Sequence, residues 1–408
     1  MPQISKKGFD MPASPIRKLS AFAEKAKQEG KKVYHLNIGQ PDIETPANVI
    51  AAIKSVDFKI WAYTSSEGTL AYRNKLVSYY NKFNYNLTVN DIIVTTGGSE
   101  AINIAMMACL DAGDEIIIPE PFYANYNGFA HQSNVVIVPV MSVIENNFGL
   151  PPVSDFEKLI TSKTKAIFIC NPNNPTGYLY SMQEMQDLKE LALKYDLFIF
   201  CDEAYREFCY DGKTFISPLN LPGLEENVVI IDTISKRYSA CGARLGCLIT
   251  KNKSVMASAL KFAQTRLSAG MVEQIAGEAA VDTPDSYFTD VINEYTLRRK
   301  ILVDSLNAIE GIVCPNPGGA FYVVAQLPVD DAEKFCQWIL EDFEYQNQTI
   351  MMAPAAGFYS NHQAGKQQVR LAYVLNVNDL AKAMECLKQA LSVYPGKLNK
   401  IKNHKILV

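Results

Sequence analysis

The sequence predicts an α/β fold: a three-layer αβα domain around a mainly parallel, seven-stranded sheet, joined to a smaller α+β domain. Three observations carry this reading. The chain has 408 residues, more than one simple core usually holds. Between residues 91 and 250 seven short, apolar, β-rich runs recur, and helical stretches separate several of them. Past residue 300 the pattern changes to helical stretches flanking two strand-like runs.

An amphipathic helix opens the chain. Ser14 suits an N-cap, Pro15 fits the first helical position, Ile16, Leu19, Ala23 and Ala26 share one face, and Gly30 ends it. Residues 34–42 are short and turn-rich, closing on Gly39-Gln40-Pro41-Asp42. The strand-like runs then fall at 91–96, 115–119, 135–140, 165–171, 198–203, 228–235 and 243–250. One intervening helix covers 181–195, with a Ser181/Glu184 capping box and Met185, Leu188 and Leu191 in phase. Strands apolar on both faces and alternating with helices imply a sheet covered on both sides. Helices at 331–343 and 378–393 flank the runs 320–325 and 369–374. The expected division is an N-terminal arm belonging to the small domain (1–45), a large domain (46–300) and a small C-terminal domain (301–408). The basic segment 395–408 is expected to be peripheral.

Composition narrows the function. The net charge is −4 and charged residues make up 20%. No basic field exists to attract nucleic acid or an anionic membrane, which favours a small-molecule role. Nine cysteines form no C-x-x-C pair, and there are only four histidines, so no metal site is expected. Cys170 and Cys201 sit inside apolar runs and read as reduced core thiols of a cytoplasmic protein. The first ten residues lack the apolar core of a secretory signal. No apolar stretch reaches the ~18 residues of a membrane span.

Sites in parallel α/β sheets form at the carboxyl ends of the strands, and four loops there carry chemistry. Gly97-Gly98-Ser99-Glu100 precedes an apolar helix. Its amides suit an anion, although taken alone the loop reads more simply as a tight turn with an N-cap serine. Asn171-Pro172-Asn173-Asn174-Pro175-Thr176-Gly177 follows the next such strand. A plain turn accounts for its prolines and glycine but not for all seven residues. Asp202-Glu203-Ala204-Tyr205 puts acids directly after a buried strand, which is costly unless they are paired; a helix-capping Asp is the simpler alternative. Ser235-Lys236-Arg237-Tyr238-Ser239 ends an apolar run, and Arg244 lies eight residues after Lys236. A desolvated lysine there is a candidate nucleophile; a solvated surface lysine is the default.

Taken together, N-P-x-N-P-T-G, D-E-x-Y and S-K-x-x-S…G-x-R-x-G, in this order and spacing, resemble the class I/II aminotransferases of the fold-type I pyridoxal-phosphate enzymes. The resemblance runs over residues 34–391. It implies pyridoxal 5′-phosphate as cofactor, amino acids and 2-oxo acids as substrates, and a homodimer with shared active sites.

The resemblance also implies roles. Lys236 is the Schiff-base lysine and proton shuttle. Asp202 keeps the cofactor ring nitrogen protonated. Asn174 and Tyr205 hydrogen-bond its phenolic oxygen, and Tyr123 stacks on the ring, unless Tyr123 is an ordinary core aromatic. Ser99, Glu100 (through its backbone N–H), Thr233, Ser235 and Arg244 form the phosphate cradle. Tyr63 reaches the phosphate of the neighbouring subunit. Arg370 clamps the substrate carboxylate, and Gly39 offers a backbone contact near it. Arg266 either supplies a distal-carboxylate contact from the other subunit or is a solvated helix-end arginine.

Expected chemistry is transfer of an amino group to 2-oxoglutarate, with aspartate the first donor and aromatic amino acids and alanine next. The lysine that some bacterial aspartate aminotransferases carry in the Gly-rich loop is replaced here by Ser99. The nearest rival is a β-lyase or another lyase or synthase on the same fold. A nicotinamide-linked dehydrogenase lacks its G-x-G-x-x-G string here. A non-catalytic regulator would carry an added DNA-binding domain, for which the first 30 residues are too few.

Overall fold

The computed structural model describes residues 2–398. Strands in chain order are β1 (Lys32–His35), β2 (Ile92–Thr95), β3 (Glu115–Glu120), β4 (Val136–Met141), β5 (Thr164–Cys170), β6 (Phe198–Asp202), β7 (Val228–Thr233), β8 (Gly246–Ile249), β9 (Tyr322–Gln326), β10 (Gln348–Met351), β11 (Ala353–Pro354) and β12 (Gln368–Ala372). The expected seven-stranded sheet runs β2-β8-β7-β6-β5-β3-β4. It is parallel except for β8, which is antiparallel to both β2 and β7.

The apolar runs make a three-layer arrangement because successive side chains point to opposite faces. Ile117, Ile167, Ile169, Ile199, Cys201 and Ile230 enter one core, beneath the helices Leu70–Asn81, Met182–Tyr195 and Met271–Val281. Their neighbours Ile116, Ile118, Phe168, Phe200, Val229 and Ile231 enter another, beneath Gly97–Cys109 and Lys253–Thr265. A third core gathers β1, β9, β10 and β12 with the helices Ser20–Gln28, Asp285–Asn307, Ala332–Glu341 and Val377–Val393. There β1 pairs in parallel with β10, and β11, β12 and β9 form an antiparallel sheet.

The capping box Ser181/Glu184 forms as expected, and Asp331 and Asn376 cap the helices Ala332–Glu341 and Val377–Val393 of the third core. The first expected helix is corrected. It starts at Ser20, not at Pro15, and Ser14 caps nothing helical. The Ile16 carbonyl that a helix would use internally accepts instead from Asn37 Nδ2 at 3.1 Å, while Ile16 packs on a small cluster around Ala124 and Phe358. Residues 14–19 therefore form a turn. A short helix, Lys6–Asp10, precedes it.

The start of the basic tail is tied down: Asp330 and Leu398 donate to the carbonyls of Gly396 and Pro328. Residues 399–408 lie outside the described residues. Among the described residues no helix is long and apolar enough to cross a membrane, and no three His, Cys, Asp or Glu side chains cluster as metal ligands do. All nine cysteines are free thiols, and burial pushes those of Cys170 and Cys201 well up.

Candidate active site

A cleft of about 720 Å³ opens at the carboxyl ends of the parallel strands. Gly39, Ser99, Tyr123, Asn174, Asp202, Tyr205, Thr233, Ser235, Lys236, Arg244 and Arg370 all line it. Arg244 reaches this edge because β8 runs the other way: Gly246 pairs with Thr95 and Thr233 at the start of that strand.

Asp202 forms part of the floor at the last residue of β6. It accepts from the Ala204 amide at 3.1 Å and the Tyr126 hydroxyl at 2.8 Å. Burial raises its carboxyl to about 6; these two donors and Lys236 pull the other way. The adjacent Glu203 points the opposite way, into a buried set of charges. It accepts from Tyr85 and Arg206, each at 2.8 Å. Arg206 and Arg237 both donate to Asp232, and Glu207 stands beside them. The same split separates Lys236 from Arg237. The lysine amine faces the cleft, donating to the Gly39 carbonyl at 2.9 Å, with Cys241 Sγ 3.5 Å away. Alternation along the chain thus sends one residue of each pair to the cleft and the other into the core.

The seven-residue turn after β5 divides its duties. Asn171 ties to the Ile216 carbonyl and the Tyr180 amide. Asn173 accepts from the amide and hydroxyl of Thr176. Gly177 has φ +72°, and a Cβ there would lie 2.3 Å from Pro317. Asn174 remains for the cleft, 3.5 Å from the Tyr205 hydroxyl and accepting from Arg370 at 3.1 Å. This answers why a plain turn does not suffice.

Arg370, on β12, is 1% exposed. Its guanidinium lies over the rings of Tyr322 (4.6 Å) and Phe358 (5.0 Å) and donates to Asn174 and the Asn37 carbonyl. Among the described residues it has no carboxylate partner, and its buried Nε has no acceptor. Burial lowers its pKa. A buried arginine without an anion is expensive, and an incoming carboxylate would satisfy it.

At another part of the cleft, Gly98 and Ser99 begin the helix Gly97–Cys109, whose free amides favour an anion. The Thr233 and Ser235 hydroxyls are 2.7 Å apart. Arg244 is exposed and packs so closely that a Cβ on Gly97 would lie 2.5 Å from its Nη2. A phosphorylated aromatic aldehyde fits this donor set: anion donors, an amine, a buried acid and a phenol share one cleft. Tyr123 accepts from Asn125 at 2.8 Å, and its hydroxyl is pushed up to about 12 by burial.

Three candidates do not line the cleft of their own chain. Tyr63 is 81% exposed. The Glu100 carboxylate turns back to the Thr96 amide and to Arg266 Nε, at 2.6 and 2.7 Å. Arg266 is held by Glu100 and the Val94 and Ser66 carbonyls, so its alternative as a solvated arginine is corrected. Sequence reading missed Tyr126, Tyr322 and Arg17. Tyr322 bonds the Tyr205 hydroxyl at 2.9 Å and touches Gly39 so closely that a Cβ there would lie 1.7 Å from its hydroxyl. Neighbouring Gly318-Gly319 was the available signal for Tyr322, and Pro121-Phe122-Tyr123 for Tyr126.

The model for "Aminotransferase class I and II" matches residues 31–387 of the chain. An aspartate aminotransferase from Pyrococcus horikoshii is 30% identical over 384 residues, covering 93% of this chain and 94% of that protein. Among solved structures, Thermus thermophilus aspartate aminotransferase with maleate superposes with a TM-score of 0.87 at 26% identity, over 96% of this chain and 100% of that one. Alanine aminotransferase from Pyrococcus furiosus gives 0.87 at 28% identity, over 95% and 99%.

Proposed function

The chain belongs to the class I and II aminotransferases, and from that premise we propose that it moves the α-amino group of aspartate to 2-oxoglutarate. Aromatic amino acids and alanine follow as donors. Enzymes of this class depend on pyridoxal 5′-phosphate, which when bound supplies an electron sink for the electrons released at the substrate Cα.

The observation that carries the reading is the convergence on one cleft of Lys236 from the turn after β7, Asp202 from the end of β6 and Arg370 from the middle of β12. Lys236 Nζ would carry the covalent link to the cofactor and would move the proton from the substrate Cα. Asp202 would hold the ring-nitrogen proton; its burial and its Tyr126 hydrogen bond fix the carboxylate for that task. Asn174 and Tyr205 would hydrogen-bond the phenolic oxygen, and Tyr123 would stack on the ring. Ser99, the Glu100 amide, Thr233, Ser235 and Arg244 would hold the phosphate. Arg370 grips the α-carboxylate as a planar fork, which fixes the bond to be broken. Gly39 brings the preceding loop against the substrate.

The substrate choice draws support from the Pyrococcus horikoshii relative and from maleate, a dicarboxylate, in the Thermus structure. A dimer is part of the same proposal. Ile60, Trp61 and Tyr63 are 80, 69 and 81% exposed, a run that suits a partner surface and would bring Tyr63 to the neighbour's phosphate. Domain limits near 45 and 300 and a cytoplasmic location belong to it as well, supported by the β1–β10 pairing and the free thiols.

A donor screen against 2-oxoglutarate, following glutamate, tests the reading. Aspartate should be the best donor. Pyruvate or CO₂ released without glutamate would assign the chain to the lyases instead. Lys236→Ala should abolish turnover and borohydride fixation of the cofactor; a variant retaining full rate would sink the assignment.

A further inference from the structure

No step of the reaction uses the buried charges behind the cleft. The turn after β6 follows Asp202, which faces the cleft, and sends Arg206 and Glu207 behind it. The turn after β7 carries Lys236 to the cleft and sends Arg237 behind it. The two turns grip each other by exchange. Arg206 leaves the first turn for Asp232 on β7. Arg237 leaves the second for Glu207 on the first, its Nε 3.4 Å from that carboxylate. Arg237 also folds back on Asp232, so the β7 carboxylate takes a guanidinium from each turn. The side chains of Arg206, Asp232 and Arg237 are no more than 2% exposed.

Stability is a poor account of this cluster. Taking charges out of water is costly, and apolar residues of equal volume often hold a fold as well or better. The cluster is also incomplete: Arg206 Nε, Arg237 Nε and Glu207 Oε2 are buried without a hydrogen bond. Its placement is more telling. Arg237 adjoins Lys236 in the chain, and Ile231 of β7 pairs with Asp202 of β6, so the exchange spans the gap between the amine and the acid. Asp232 also accepts from the Thr233 amide at 2.6 Å, where the turn begins. Tyr79 lies 4.7 Å from the Arg237 guanidinium and donates to Glu207, which walls the anchor in. The amine has need of an anchor. In the aminotransferase reading, on which this inference rests, Lys236 lets go of the cofactor when a substrate arrives and then acts as a free base. Nothing covalent but its own turn then holds it beside the substrate Cα.

We propose that Arg237 is the positioning residue for Lys236: through Asp232 and Glu207 it locks the lysine's turn to the turn that follows Asp202. The amine thereby keeps its place relative to the acid whether or not it is joined to the cofactor. Arg237 lies outside the cleft lining and acts only through its neighbour.

Three readouts separate positioning from folding. Arg237→Met should lower kcat by about 10- to 100-fold with KM for the amino donor little changed, as expected of a base held out of line, and Arg237→Lys should recover part of the loss. A donor deuterated at Cα should show a larger isotope effect on kcat in Arg237→Met than in wild type, because proton transfer is the step that slows. Starting from cofactor-free protein, capture of pyridoxal 5′-phosphate into a borohydride-fixable link should slow by a similar factor. If Arg237→Met does not fold, the double variant Arg237→Met with Glu207→Gln, which removes one charge of each sign, carries the same three measurements. A folded variant that captures the cofactor and turns over at wild-type rates overturns the assignment, as does a fall in kcat with an unchanged isotope effect. Wild type that captures no cofactor at Lys236 would overturn the reading of the reaction and this assignment with it, whereas slow capture confined to the variants supports both.

Discussion

Tyr126 donates its hydroxyl to Asp202 Oδ2 at 2.8 Å from the helix Tyr126–Ser133, so the acid on the cleft floor is held from below as well as from the Ala204 amide. Even with both donors, burial keeps its carboxyl at about 6.

That shift predicts a pH-dependent stability. An acid whose folded pKa lies above its unfolded value binds more protons when folded, so its contribution to stability falls as pH rises between the two values. In the cofactor-free protein, Asp202→Asn should therefore stabilise the fold at pH 8, by up to ~3 kcal/mol, and by roughly half that at pH 5. Urea unfolding of both proteins at the two pH values measures it. Glu203 and Glu207, each raised to about 7 by burial, are common to both and cancel in the difference. A gain that grows on acidification would refute the assignment.

Arg370 predicts a trade of stability for activity. It is a buried cation with no anion among the described residues and an unsatisfied Nε. Arg370→Met should abolish turnover yet leave the substrate-free protein at least as stable, with a gain of about 1 kcal/mol expected. Thermal unfolding with and without substrate decides it. A loss above ~1 kcal/mol would mean that its bonds to Asn174 and the Asn37 carbonyl outweigh its desolvation.

Arg266 should behave in the opposite way. Arg266→Ala leaves Glu100 without its ion partner and frees the Val94 and Ser66 carbonyls. A destabilisation of about 1–3 kcal/mol is expected, with the aspartate-to-alanine preference unchanged. A variant that unfolds like wild type but loses that preference would return the distal-carboxylate role to this residue.

The exposed run at Ile60, Trp61 and Tyr63 predicts assembly. Sedimentation should give a dimer, and Ile60→Asp with Trp61→Asp should give monomers. Those monomers should lose cofactor affinity, because each would lack the partner's Tyr63. Monomeric wild type with full activity would contradict shared sites.

Much of this was legible in the sequence because strand ends and chemistry coincide. Lys236, Asp202, Asn174 and Arg244 stand in short, unusual strings, and the apolar runs preceding them could only be strands buried on both faces. Less legible was anything set by contacts distant in sequence. Ser14-Pro15 has the local form of a helix start, yet Asn37 captures the Ile16 carbonyl and the segment becomes a turn. The same turn places Arg17, which no local pattern marks out, in the cleft. Tyr322 sits in a run that reads as plain core. Arg206, Arg237, Glu203 and Asp232 form their ion network only once β6 and β7 lie side by side.

The parallel pairing of β1 with β10 joins Lys32 to Gln348, and this sets a schedule for the emerging chain. During synthesis the seven strands between Ile92 and Ile249 can pair as they leave the ribosome, since their contacts are comparatively local. The segment bearing Arg17, Asn37 and Gly39 has no sheet partner until residues near 350 have been made. A nascent chain can thus shape its anion pocket early, while the wall that grips a substrate closes only when translation is almost complete.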